Sequence, residues 1–215
     1  MVRARNAGLK TMTRRALKVQ PPADYTPSNR GYPSHDFLKN GQRFDAFSFY
    51  QSQEGTLPKF WPPGKFNELL CPHGSRGDQL WIREAWRTVH QADALPPRHL
   101  TAAHRIWYEA DAPHQLGYGR YRPPMFMPRW ASRGLDEITS VRVERLQDIS
   151  EANALAEGLE QEAVEQLLQL AEAMNQREPS PCREIYKVLW ESINGPGSWA
   201  ANPWVWVIEF KVLKK

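Results

Sequence analysis

Apolar and polar residues alternate most clearly near the C-terminal end of the chain. Trp204, Trp206, Ile208, Phe210 and Val212 fall on one face of an extended segment, and Val205 and Val207 begin the other. Side chains alternate across a strand, so apolar character on both sides over the first half predicts a strand at the centre of a sheet. An aromatic row of this kind is read as core. Residues 138–146 predict a half-buried strand, with Val141 and Val143 alternating against Arg142 and Glu144. A third strand is expected over 79–86, after a Gly77-Asp78 turn, and a fourth over 105–110, followed by a Gly/Tyr/Pro loop through Pro124.

The period changes after residue 150. Ser150 and Glu151 open a short helix that Gly158 ends. Beyond it Val164, Leu167, Leu168, Ala171 and Met174 recur on one helical face. Pro181 then opens another helix, through Ile185, Val188, Leu189 and Ile193, stopped by Asn194-Gly195-Pro196. Together these elements predict an α+β fold. No period holds over residues 19–70, where Pro21, Pro22, Pro27, Pro33, Pro58, Pro62 and Pro63 exclude a long helix. Tyr25, Tyr32, Phe37, Phe44, Phe47, Phe49, Tyr50, Phe60 and Trp61 argue equally against disorder. An irregular, ordered insertion packing on the rest as a lid is the expectation, within one domain spanning 1–215.

Composition adds bounds. A chain of 215 residues suits one domain with a proper core. The formal charge is only +4, but residues 1–19 hold Arg3, Arg5, Lys10, Arg14, Arg15 and Lys18 and no acid. Residues 147–176 hold Asp148, Glu151, Glu157, Glu160, Glu162, Glu165 and Glu172 and no Lys or Arg. That polarity fits an anionic partner held on one side, or two ordinary solvated faces. With two cysteines, no apolar leader and no run near the ~20 residues of a membrane span, a cytoplasmic protein without a disulfide framework or membrane contact is expected. Cys71-Pro72-His73 lacks a second ligand pair and is read as a turn; His90, His99 and His104 are read as loop residues, and no metal or cofactor is called for.

Chemistry gathers in Ala7-Gly8-Leu9-Lys10-Thr11-Met12-Thr13-Arg14-Arg15. Strict alternation would put Lys10 and Thr13 on opposite faces, whereas a turn after Gly8 lets both point the same way as the chain enters a strand. Thr11, Thr13 and Arg15 would then share a face. Arg129 and Trp130 offer a guanidinium and an indole, the pair used to hold a phosphate and stack an unpaired base; a core tryptophan beside a surface arginine is the other reading. Arg83 and Glu84 line a pocket or pair with each other. Glu157 falls at the negative end of a helix dipole, where a purely structural acid is out of place.

Gly8-x-Lys10-Thr11-x-Thr13-x-Arg15 resembles the signature of the ASCH domain family. Gly77-Asp78-Gln-Leu-Trp-Ile-Arg-Glu84, Met127-Pro-Arg-Trp-Ala-Ser132, Arg145-Leu-Gln-Asp-Ile-Ser150, Ala156-Glu-Gly158, Leu189-Trp-Glu-Ser-Ile-Asn194 and Asn202-Pro-Trp-Val-Trp-Val-Ile-Glu-Phe210 extend the likeness to its bacteriophage and prophage members, often labelled morphogenetic. The resemblance implies a small PUA-like mixed β-barrel flanked by short helices, related to RNA-binding and modified-base-reading domains. Small bacterial members are amidohydrolases that deacetylate N4-acetylcytidine with a lysine, a threonine and a glutamate. Those roles fall on Lys10 as base, Thr13 as nucleophile and Glu157 as proton donor to the leaving amine, and the motif arginine on Arg15; Arg129 and Trp130, on their own chemistry, are expected to bind substrate with Arg15. A lysine of reference pKa ~10.4 serves as a base near neutrality only if burial or cations depress it. Arg14 and Arg15 push that way and an ionised Glu157 opposes them, so the pair titrates as a unit. The alternatives are a non-catalytic reader of single-stranded RNA or a modified nucleoside, a phage assembly or host-interaction protein using 19–70, and an RNA-cleaving variant. Family members carry an apolar strand before the opening helix, apolar residues where Arg5 and Asn6 stand, and a basic residue where Leu9 stands. A barrel one strand short is therefore implied.

Overall fold

A computed structural model describes residues 2–31, 33, 35–39, 42–51, 59–61, 69–111, 117–159, 162, 164–166, 169 and 181–214. Its strands are β1 (Met12–Ala16), β2 (Thr26–Pro27), β3 (His35–Lys39), β4 (Gln42–Phe47), β5 (Phe49–Gln51), β6 (Lys59–Trp61), β7 (Leu69–Leu70), β8 (Gln79–Trp81), β9 (Trp86–Arg87), β10 (Trp107–Tyr108), β11 (Leu135–Arg145) and β12 (Trp204–Lys214). The helices are α1 (Val2–Asn6), α2 (Glu151–Ala156) and α3 (Pro181–Asn194). The architecture is α+β, built on a curled antiparallel half-barrel sheet of order β1-β12-β11-β8. The strand predicted to be central is central: β12 pairs with β1 on one side and β11 on the other. A register shift between Ile138 and Ser140 interrupts the long β11–β12 ladder, the kind of irregularity that bends a sheet.

Both faces of β12 are buried, against different partners. Val205 and Val207 join Met12, Leu146, Ala154, Tyr186 and Trp190 in a core roofed by α2 and α3. Trp204, Trp206 and Ile208 face the other way, onto Val141, Val143, Phe47 and Phe49. Phe47 meets Trp206 and Phe49 meets Trp204 edge-on, each at 5.0 Å between ring centroids, a favoured aromatic geometry.

Residues 19–70 are more regular than expected. They supply two three-stranded sheets, β2-β5-β6 and β3-β4-β7, whose strands are too short to leave a readable period. Phe47 and Phe49 make this segment the second wall of the core. Tyr32, Pro58, Pro62 and Pro63 lie outside the described residues, as does the side chain of Phe37.

Other boundaries moved for local reasons. The strand expected over 79–86 stops at Trp81; the chain leaves the main sheet and resumes at Trp86 in a two-stranded sheet with β10, itself only Trp107–Tyr108. β11 starts at Leu135, and its polar face is not solvated, because Arg142 is buried between Glu144 and Glu209. In α3 the buried residues are Cys182, Tyr186 and Trp190, while Val188 and Ile193 are exposed. Ser150 caps α2 by accepting from the Asn153 N–H at 3.2 Å. Residues 164–166 are helical; Leu167, Leu168, Ala171, Met174, Glu160 and Glu172 lie outside the described residues. No described helix is long and apolar enough to cross a membrane.

Candidate functional site

Gly8 closes α1 at φ +78°, a left-handed conformation that glycine takes without cost. The N–H groups of Gly8, Leu9 and Lys10 turn back onto the carbonyls of Arg5 and Ala4. This is the expected turn, and it delivers the chain into β1. There Thr13 and Arg15 share one face, paired opposite Ile208 and Trp206. Met12 and Arg14 share the other. Thr11 precedes the strand; its N–H donates to the Ala156 carbonyl.

That last bond ties the motif to the end of α2, where Glu157 caps the helix and forms an isolated antiparallel bridge with Lys10. Lys10 Nζ donates to the Glu157 carbonyl at 2.7 Å, the Met12 carbonyl at 2.8 Å and Glu157 Oε2 at 3.0 Å. All three ammonium donors are satisfied. Glu157, only 2% exposed, also accepts from Arg14 Nη1 at 3.3 Å and from the Tyr186 hydroxyl at 3.4 Å, both on Oε1. Arg14 reaches Glu144 at 3.1 Å with its other terminal nitrogen. The basic N-terminal segment and the acidic stretch thus meet at one buried carboxylate.

Burial lowers the Lys10 pKa, with Arg15 and Arg14 adding to the effect; the charge and hydrogen bond of Glu157 oppose it without cancelling it. Burial raises Tyr186 above its ordinary range, with the Glu157 charge reinforcing the shift, so Tyr186 is a neutral donor to the carboxylate.

Two cavities wrap the exposed edge of β1. One, of about 320 Å³, is lined by Lys10, Thr13, Arg14, Arg15, Glu157 and Tyr186 among others. The second, about 200 Å³, shares Lys10, Thr13 and Arg15 and is otherwise mostly apolar, with Leu80, Ile82 and Phe210 in its wall. No described residue of 19–70 lines either cavity. Thr13 shares both spaces with Lys10, and its hydroxyl has no partner among the described residues.

Arg129 and Trp130 are not part of this site. They sit on a short 3-10 turn, the Arg129 guanidinium 5.7 Å from the Trp81 ring, and neither lines the cavities at Lys10. Glu84 pairs in two-pronged fashion with Arg133, both bonds 2.8 Å, rather than with Arg83, which stacks on Trp81. Cys71 is buried in the aromatic core, its thiol pushed up to about 12 chiefly by burial. No group of His, Cys, Asp or Glu among the described residues gathers as metal ligands do.

Tyr186 escaped the sequence reading, which gave Arg14 only as a cation acting on Lys10 and not as a partner of Glu157. Strand parity could have placed Arg14 beside Met12 on a buried face, but nothing in the sequence names its partner.

Gly158, at φ +82°, is the close approach that lets this happen. A Cβ there would stand 2.7 Å from Lys10 Cβ and 3.0 Å from Ala4 Cβ. Gly158→Ala is expected to lose at least ~1 kcal/mol by the left-handed strain alone and to displace Lys10 from Glu157. Chemical denaturation and the Lys10 side-chain NMR signals check both effects.

Compared with known proteins, the chain matches no family model, no curated protein and no solved structure.

Proposed function

We propose that this protein is an ASCH-type amidohydrolase on a PUA-like barrel, which removes the acyl group from N4-acetylcytidine or a related N-acylated nucleoside. The observation that carries the reading is the buried Lys10–Glu157 pair at 3.0 Å, set in a cavity that Thr13 also lines. An ion pair held out of water beside an unpartnered hydroxyl supplies a base, an acid and a nucleophile in one place.

At rest the three satisfied donors of Lys10 describe an ammonium. Transfer of one proton along the Nζ–Oε2 hydrogen bond gives a neutral amine and a carboxylic acid, removing two buried charges at once. Rotation about the terminal C–N bond then turns the amine lone pair toward Thr13. As Thr13 Oγ1 bonds to the amide carbon, its proton passes to Lys10. The carbonyl oxygen becomes an oxyanion, and the Arg15 guanidinium, with no partner among the described residues, is the cation available to it. The carbon–nitrogen bond breaks as Glu157 gives its proton to the departing amine. Water hydrolyses the Thr13 ester, releasing the carboxylic acid and restoring the hydroxyl.

The test is chromatographic detection of cytidine released from N4-acetylcytidine by the purified protein. Thr13→Ala and Lys10→Ala are each expected to reduce kcat/KM by about 10²-fold or more. A folded wild type that releases no cytidine overturns the reading.

The lowered Lys10 pKa sets the pH dependence. The native state binds fewer protons than the unfolded chain between the lowered native value and the ordinary lysine value of 10.5. Stability therefore gains from this group as pH rises across that interval. Activity should fall across the same interval, because once Lys10 has lost its proton to solvent the Lys10–Glu157 pair has none left to give the leaving amine. In Lys10→Met the stability slope should vanish from a pH-resolved urea series.

A further inference from the structure

Residues 81–133 hold eight arginines, no lysine and four acids, so this quarter of the chain carries the same surplus of four positive charges as the whole. The acids are already engaged. Glu84 and Asp111 pair with Arg133, Glu109 with Arg87, and Asp93 accepts from the Arg120 backbone N–H. Arg83 and Arg129 have no acidic partner among the described residues, and both lie against the ring of Trp81, at 4.4 and 5.7 Å. Arg83 also donates to the Met125 carbonyl at 3.3 Å. That bond fixes it beside a turn on which Met125 is 68% and Phe126 53% exposed; Trp130, next to Arg129, is 38% exposed.

We propose that this Trp81–Arg83–Arg129 cluster, with Phe126 and Trp130, is a binding surface for single-stranded nucleic acid. Arginine is the cation that lies flat on a ring and still grips phosphate through two N–H groups; lysine does not. Exposed aromatic rings beside arginines that lack carboxylates have the two parts such a ligand needs, a stacking platform for unpaired bases and positive charge along the backbone. A duplex hides its base faces and would engage only the charge. The surface is distinct from the Lys10 cavity: Leu80 and Ile82 line that cavity, and alternation along the chain sends Trp81 to the opposite face. The proposal does not rest on the amidohydrolase reading.

The experiment is fluorescence anisotropy of the full chain with labelled oligo-U RNA and oligo-dT DNA of about 12 nucleotides, a length within the usual site range, and a duplex of equal length. Single strands should bind more tightly than the duplex, with affinity falling steeply as salt rises. Trp130→Ala should weaken binding about tenfold, the scale of one lost stacking contact. The Arg83→Ala/Arg129→Ala double variant should bind more weakly and flatten the salt dependence by about two counter-ions. Equal affinity for RNA and DNA identifies shared phosphate and base chemistry as the ligand; an RNA preference adds the 2′-hydroxyl. The proposal is overturned if duplex binds as well as single strands, if Trp130→Ala binds as wild type, or if neither oligonucleotide binds at low salt. Cosedimentation with anionic phosphatidylglycerol vesicles without oligonucleotide binding also overturns it, in favour of a membrane surface.

Discussion

Glu157→Ala is expected to abolish N4-acetylcytidine hydrolysis and to cost the fold about 3 kcal/mol, the lower end of the range for stripping a buried charge of its partner. The lower end applies because neither cation is left wholly alone. Arg14 keeps Glu144 at 3.1 Å, and Lys10 keeps the carbonyls of Met12 and residue 157. What is lost is the one carboxylate that neutralises both, in a place where the Arg14 side chain has no exposed surface. Tyr186 loses its acceptor at the same time. For a chain of this length each kcal/mol moves Tm by about 2–4 °C, so a fall of roughly 6–12 °C should appear in thermal scans. Glu157→Gln separates chemistry from support. The amide fills the same volume and still accepts from Lys10, so part of the stability should return, though not the charge that neutralised Lys10 and Arg14; with no proton to give the leaving amine, turnover should stay absent. A glutamine variant with wild-type turnover would make Glu157 a holding residue and leave Lys10 and Thr13 to account for the reaction.

The parts of this arrangement that were legible beforehand are those fixed over short distances along the chain. The two-sided apolar pattern of 204–212 named the central strand because parity needs no knowledge of partners. Ser150 and Gly158 marked the ends of α2 through capping chemistry that acts within one turn. Gly8 marked its turn because a left-handed backbone is a local demand. Lys10 and Glu157 apart, which the family resemblance brought together, pairings across long separations were not legible. Glu84 found Arg133, 49 residues away, in place of its neighbour Arg83, because the chain leaves the main sheet after Trp81 and carries the two side chains apart. Arg142 looked like a solvated position and is buried because two glutamates, one of them on β12, close over it. Charge is a poor guide to exposure wherever a compensating charge folds onto it. The same rule hid Arg14, whose five-residue strand shows two arginines and no sign of which one goes inside.

Arg5 is the clearest case, and Arg5→Ala carries the other large expected effect: a loss of about 3–5 kcal/mol, or roughly 6–20 °C in Tm. Arg5 stands where the ASCH resemblance leads one to expect an apolar helix residue. It is buried nonetheless, its Nε and Nη2 donating to the carboxylate of Asp136, with Nη2 also on the Leu135 carbonyl at 3.1 Å and Nη1 on Asn6 Oδ1 at 2.8 Å. Asp136 is 1% exposed, so alanine at position 5 strands a carboxylate in the interior. The damage should not stop at stability. The pair fastens α1 to β11, and the carbonyls of Ala4 and Arg5 are the acceptors that shape the Gly8 turn ahead of Lys10. Loosening α1 should therefore lower kcat as well as Tm, although Arg5 itself makes no contact with Glu157. An Arg5→Met/Asp136→Leu pair tests whether the charges or the volume matter. Buried ion pairs exchanged for packed apolar side chains usually end near neutral or more stable, so the double variant should recover most of the Tm lost by Arg5→Ala and, with α1 seated again, most of the turnover. If the double variant is as unstable as the single one, the hydrogen bonds to Leu135 and Asn6 hold α1 in place, and the departure at position 5 is a backbone clamp rather than a charge swap.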